Sequence, residues 1–209
     1  MHRINLSELA NSLSNDESVS NVILSGNVLS YVANGVEASF TEYTLGNGRY
    51  KYVITEGNTT DVLIVSEQTN VLTLNNSPVL VCQVYSAEPV VSQSSVNSTN
   101  TTWIKMGNTS YFDITTERAI STMTTSILLA ILTSFISSAI SITISVCSAI
   151  ITAYKSTDPD SKYLYVSRAL YYDKDIPNYH FLEKMWYYRN SNYTGLVTTS
   201  QKEHDSILV

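Results

Sequence analysis

The stretch "SILLAILTSFISSAISITISVCSAIITA", Ser126–Ala153, contains no charged residue, no glycine and no proline. It belongs to a longer run: from Ala119 to Tyr154, 36 residues between Arg118 and Lys155, there is no Asp, Glu, Lys, Arg or His. Wound as one α-helix, that run would be about 54 Å long at ~1.5 Å per residue, whereas about 20 apolar residues suffice to cross a bilayer. Between Ile127 and Ile150 lie twelve strongly apolar side chains: Ile127, Leu128, Leu129, Ile131, Leu132, Phe135, Ile136, Ile140, Ile142, Ile144, Val146 and Ile150. Each favours insertion by roughly 0.3–0.6 kcal/mol, so they are the residues expected to contact lipid.

The hydroxyls within the run are patterned. Ser134, Ser138, Ser141, Ser145, Ser148 and Thr152 recur at alternating intervals of four and three. On a helix that spacing confines them to a stripe about 80° wide, which suits close helix packing in lipid or the wet lining of a pore. The same stripe also suits a central helix buried against a sheet. A third reading comes from "AISITISV", residues 139–146, where β-branched residues alternate with Ser and Thr as in a strand. The absence of turn residues within the run favours the helix.

Outside this segment the chain reads as β. "INLSELANSL" spaces Ile4, Leu6, Leu9 and Leu13 for a short amphipathic helix ending near Asn15. The following residues form short β-branched and aromatic runs separated at Ser25-Gly26, Asn34-Gly35, Gly46-Asn47-Gly48 and Glu56-Gly57-Asn58. Such pairs supply the positive φ that tight hairpins need, so this half is expected to be an antiparallel meander. Residues 86–102, "SAEPVVSQSSVNSTNTT", have a linker's composition. Beyond Tyr154 the chain becomes aromatic, and "KYLYV" and "MWYYRNSNYTG" predict a small second β element. Its Tyr171, Tyr172, Trp186, Tyr187 and Tyr188 read as the core of that element, as an interfacial belt at headgroup depth, or as stacking platforms for sugars.

The expected fold is therefore α+β, in three parts. Residues 1–85 form an acidic antiparallel β unit with an N-terminal helix, a candidate masking region for the apolar segment. Residues 86–102 form the linker, and 103–209 hold a long apolar helix, 119–154, plus the Tyr-rich β element. The charge distribution follows the same division: residues 1–100 hold nine acidic and three basic residues, whereas 101–209 hold nine of each.

Composition excludes several classes. A net charge of −6 without a cluster of Lys and Arg argues against a nucleic-acid partner. Two cysteines, Cys82 and Cys147, allow one disulfide at most and read as free thiols. Neither GxSxG, HExxH, CxxC nor GxxxxGK[ST] occurs, so no catalytic residue, metal site or cofactor is assigned. His180, with Glu183 or Asp175 as partner, is the one histidine placed for chemistry, and an aromatic-cluster role suits it better. The Asp-x-Asp pairs Asp158/Asp160 and Asp173/Asp175 lack the Gly and Glu of a calcium loop and read as surface turns. Residues 1–20 lack the basic and apolar regions of a secretory signal peptide, which a dedicated exporter would not require.

Three stretches together carry a resemblance: "SNVILSGNVLSYVANGVEASFTEYTLGNGRYKY", the Ser/Ile-rich apolar segment, and "ALYYDKDIPNYHFLEKMWYYRNSNYTG". They resemble the geobacillin-type large unmodified bacteriocins. The resemblance implies secretion and killing of related bacteria, and it carries over no catalytic residue. With the span-length segment, it leads to the expectation of a secreted antibacterial protein that permeabilises the lipid membrane of target bacteria, with self-association, an exporter and an immunity protein as further partners. The alternatives are a single-span surface or binding protein and, behind it, an enzyme of another family.

Overall fold

A computed structural model of the chain describes residues 1–84, 97–98, 101–136, 142–177 and 180–205. The elements run α1 (Leu6–Ser14), β1 (Val19–Ser25), β2 (Val28–Ala33), β3 (Val36–Gly46), β4 (Arg49–Glu56), β5 (Thr59–Ser66), β6 (Val71–Leu74), β7 (Ser77–Val84), β8 (Asn97–Ser98) and β9 (Thr101–Thr116). A 3-10 turn (Ile120–Thr122) then leads to α2 (Thr125–Phe135), α3 (Ile144–Thr157), β10 (Tyr163–Asp173), β11 (Phe181–Tyr188) and β12 (Leu196–His204).

The chain is mainly β, which corrects the expected α+β fold with its long apolar helix. The run 119–154 is divided into α2, of 11 residues, and α3, of 14 residues. No helix among the described residues is long and apolar enough to cross a membrane. Two hydroxyl caps mark the division. Thr124 Oγ1 accepts from the Ile127 amide, and Thr143 Oγ1 accepts from the Val146 amide. Both threonines are extended, as an N-cap residue must be, and Ile136 leaves the helix at φ −98°, ψ 114°. β-branched isoleucines favour helix only weakly, so a cap and a tertiary contact suffice to interrupt the run. Most of the linker stretch 86–102 lies outside the described residues, but Asn97 and Ser98 pair with Thr102 and Thr101 as a short antiparallel bridge.

The chain separates into two compact units. The first comprises Met1–Val81 and Thr115–Tyr163. In it β1 to β7 follow one another as an antiparallel meander in sequence order. Alternate residues of the strands are buried, among them Leu29 and Tyr31, Ala38 and Phe40, Tyr52 and Ile54, and Leu63 and Val65. α1 packs on β1 and β2, and α2 packs on β4, β5 and α3. Ile4, Leu9 and Leu13 join this core, as do all residues of α2 from Ser126 to Ser134. The opposite side chains, such as Ser30, Ser39, Val53, Thr55 and Val62, are half-buried. At the β2–β3 hairpin Asn34 and Gly35 take φ of 50° and 79°, the turn a two-residue hairpin requires.

The second unit comprises Cys82–Ile114 and Leu164–Val209, with strand order β9-β10-β11-β12. Trp103, Ala169, Tyr171 and Leu182 form its buried cluster, with Trp186 packed against it. Tyr193 holds φ 56°, which is costly for an aromatic residue. Its ring lies edge-on to Tyr111, Tyr165 and Tyr188, and its hydroxyl donates to Asp113 Oδ1 at 2.6 Å. Those contacts offset the strain.

Burial predicts which side chains hold the first unit together. Leu129 is 0% exposed in the middle of α2, whereas Ile23 on β1 is 62% exposed. In urea denaturation Leu129→Ala is expected to lose about 3 kcal/mol, and Ile23→Ala no more than about 0.5 kcal/mol.

Candidate functional site

The strand pattern of the first unit places carboxylates on its buried face, and each meets a group delivered from outside the sheet. Glu42 on β3 receives Arg3, whose Nη2 lies 2.5 Å from Oε1 and whose Nε donates to Oε2 at 3.0 Å. The buried Tyr52 hydroxyl donates to the same Oε2 at 2.8 Å. The Glu42 carboxylate raises the Arg3 pKa, and burial together with Glu42 raises that of Tyr52. Asp61 on β5 is 3% exposed; it accepts from Arg118 Nη1 at 2.9 and 3.0 Å and from Asn75 Nδ2 at 2.6 Å.

The other two carboxylates hold the apolar helices. Glu56, the last residue of β4, meets the N-terminus of α2. Its Oε2 accepts from the Ser126 amide and the Thr125 hydroxyl, both at 2.8 Å, and from Ser126 Oγ at 2.5 Å, while Oε1 accepts from the Thr125 amide at 3.4 Å. Because Ser126 Oγ donates to Glu56, the Tyr31 hydroxyl is the donor in its 2.6 Å contact with Ser126. Burial pushes the Tyr31 pKa up. Asp16, just after α1, does the same for α3. Oδ2 accepts from the amides of Ile144 at 2.8 Å and Ser145 at 3.5 Å, while Oδ1 is held by the Ser18 amide and hydroxyl.

The first amides of a helix lack intrahelical partners and carry the positive end of its dipole, so a carboxylate is the natural counterpart. Cys147 lies fully buried in α3; burial, then Asp16 and Glu56, push its thiol well above the ordinary range. Both Cys82 and Cys147 are free thiols.

Most of the residues expected to contact lipid are in this core. Ile127, Leu128, Leu129, Ile131 and Leu132 are buried in α2, followed by Ile136, and Ile142, Ile144 and Ile150 are buried in or next to α3. Phe135 and Val146 are half-buried, and Ile140 lies outside the described residues. The hydroxyl stripe does not share one helix. Ser134 is buried in α2 and donates to Ile131 O at 2.9 Å. Ser145 and Thr152 are exposed and Ser148 half-buried on the outer face of α3, while Ser138 and Ser141 lie outside the described residues.

In the second unit, strand pairing divides the five selected aromatics between two faces. Tyr171, Trp186 and Tyr188 share one, with Trp103, while Tyr172 and Tyr187 point to the other. Tyr171 and Tyr187 are buried and the other three half-buried. On the face of Tyr187, the buried Glu183 pairs with Arg168 Nε and faces His204 Nε2 at 3.7 Å. His180 meets neither Glu183 nor Asp175; its partners are Asp173 and Glu203. Asp175 instead donates its amide to Asp173 Oδ1 at 2.9 Å, closing a turn. Among the described residues no group of three His, Cys, Asp or Glu could hold a metal ion.

The sequence shows that the β half is acidic, yet it does not reveal that Asp16, Glu42, Glu56 and Asp61 turn inward. The one available signal is the even parity that puts Glu42, Ile54 and Glu56 in phase with Phe40 and Tyr52. No protein-family model, curated protein or solved structure matches the chain. Geometry therefore defines the class: an antiparallel β protein in which two carboxylates clamp the N-termini of a pair of apolar helices.

If Glu56 is the clamp on α2, Glu56→Ala, which leaves several donors unpaired, is expected to cost about 2 kcal/mol. Glu56→Gln, which keeps an acceptor oxygen, should lose about half as much. Equal losses for the two substitutions in urea denaturation would show that the carboxylate's acceptors contribute nothing.

Proposed function

We propose that the protein is a secreted, non-enzymatic antibacterial protein of the bacteriocin type. In this reading it permeabilises the membranes of target bacteria with the segment that forms α2 and α3. One observation supports the reading above others: a 36-residue run without charge is packed as two short helices, each held at its N-terminus by a carboxylate of the β half. Such a segment is stored against the sheet, with the two carboxylates fixing where each helix begins. α2 and α3 are about 16 and 21 Å long, too short to cross a hydrocarbon core of about 30 Å singly. Rejoined as one helix, the run exceeds that thickness. The lipid-contacting residues are then Ile127 to Ile150, and the half-buried Trp186 and Tyr188 suit headgroup depth.

A second reading rests on the burial of α2 from Ser126 to Ser134. Complete burial is what a permanent core requires, and the chain is then a binding module in which these helices never leave the sheet.

Ala149 separates the two, because it is exposed on α3 and lies within that segment. Ala149→Asp leaves the packed core untouched, yet places a charge within the segment an inserted helix would bury, at a cost that reaches about 2.5–3.5 kcal/mol at the membrane centre and falls towards its surface. Dye release from vesicles of phosphatidylethanolamine and phosphatidylglycerol is expected to fall severalfold with Ala149→Asp at unchanged Tm. Glu56→Gln should quicken release. Unaltered leakage with Ala149→Asp, or none from the parent protein, overturns the membrane reading in favour of the permanent core.

A further inference from the structure

In the second unit one imidazole joins three strands. His180 Nδ1 lies 3.0 Å from Asp173 Oδ2, at the end of β10, and Nε2 lies 3.2 Å from Glu203 Oε2, on β12. Its ring packs at a tilt against Trp103 of β9, with centroids 4.8 Å apart and planes at 58°. The backbone brings these groups together. The Asp173 amide donates to His180 O, and the Lys174 amide donates to Thr102 O, both at 2.9 Å.

We propose that His180 is a proton-operated clasp that ties the carboxyl end of β12 to β9 and β10 when charged and releases it when neutral. A neutral imidazole has one N–H, and the other nitrogen presents a lone pair. It can therefore donate to one of the two carboxylates only, and the second faces a lone pair at about 3 Å. An imidazolium donates to both and also attracts the Trp103 ring. Of the two carboxylates, Asp173 is the fixed one: it is 6% exposed and also held by the Asp175 amide. Glu203 has a side chain 53% exposed and lies on the last strand, so its contact is the one that gives way.

The remaining charged groups nearby do not reach the ring. Glu183 is engaged with Arg168 and His204 on the opposite face of β11, and Lys184 sits over the Tyr171 ring. Lys105 of β9 donates to Thr109, and Lys174 and Asp175 are exposed on the connection between β10 and β11.

The sign of the effect follows from the shifts. Hydrogen bonding to Asp173, and then to Glu203, raises the His180 pKa above its ordinary 6.5. The Asp175 amide, and then His180, lower that of Asp173 below 3.8. A raised histidine contributes stability that is complete below pH 6.5 and lost as pH climbs through the folded value. A lowered aspartate contributes stability lost only as pH falls below its ordinary range. The clasp is therefore closed in mildly acidic solution and opens on the alkaline side of 6.5.

An imidazolium in contact with an indole quenches its fluorescence, so Trp103 reports the state of the clasp. The protein has two tryptophans, and Trp186→Phe isolates the reporter. A fluorescence rise is expected with a midpoint above pH 6.5, accompanied by faster amide exchange over residues 200–205. His180→Gln should abolish the rise. Glu203→Gln, at a half-exposed position that the fold does not need, should move the midpoint down. A midpoint at or below 6.5, an unmoved midpoint with Glu203→Gln, or exchange in β12 that ignores the transition overturns the proposal.

Discussion

The contact between a carboxylate of the β half and a helix N-terminus organises the first unit. Glu56 and Asp16 each present an anion to amides that no helix can satisfy from within, and each is in turn fixed by neighbouring hydroxyls. Surface ion pairs contribute little because water competes for both partners. In a dry interior the balance changes: an unpaired carboxylate or an orphaned amide costs the full desolvation of that group. The two helices therefore have few other arrangements in which both carboxylates and both N-termini are satisfied. Glu42 with Arg3 and Asp61 with Arg118 extend the same logic to the segments that enter α1 and α2. The excess of acid in the first hundred residues is in this sense structural: four of the nine carboxylates point at the elements that the sheet must hold.

The second unit uses its charges differently. Its buried Glu183 is shared between Arg168 and His204 of β12, and its His180 between Asp173 and Glu203 of β12, so each histidine links β12 to the rest of the unit. Strand pairing alone would hold β12 as an edge with half its backbone facing outward. Side-chain bridges from β10 and from the connection before β11 add a hold that depends on protonation. The aromatic residues complete the unit by filling space, since Trp103, Tyr171 and Leu182 bury one face while the Tyr111, Tyr165, Tyr188 and Tyr193 rings brace the last turn.

What could be read in the sequence was local. α1 is spaced by its leucines and ends at Asn15, and the hairpins between β1 and β5 sit at their glycine-containing turns, because both follow from neighbouring residues. The β6–β7 turn uses Asn75 and Asn76 at φ 49° and 67°, with no glycine to announce it. β9 was hidden for a related reason, as "TTWIKMGNTSYFDITT" interrupts its alternation with Gly107 and Asn108. The clamping residues were out of reach altogether. Asp16 lies 128 positions from Ile144, and no periodicity links residues so distant. The hydroxyl stripe shows the opposite hazard, a regular spacing that carries meaning only if the helix is continuous.

Dimensions explain why the continuous helix is not the folded one. A strand of eight residues, such as β4, is about 26 Å long. A single helix over the whole apolar run would be about 54 Å and would overhang such a sheet by half its length, with isoleucines and leucines in water. Split in two, the run yields helices of about 16 and 21 Å that fit the sheet and pack on each other. The break has a further consequence, since it creates a second helix N-terminus. Without it Asp16 would keep only its Ser18 contacts, beside an uncharged helix flank and the buried Cys147. Thr143 caps the new terminus from its own chain and Asp16 from the β half, so the amides that the second N-terminus leaves without helical partners are satisfied from two sides.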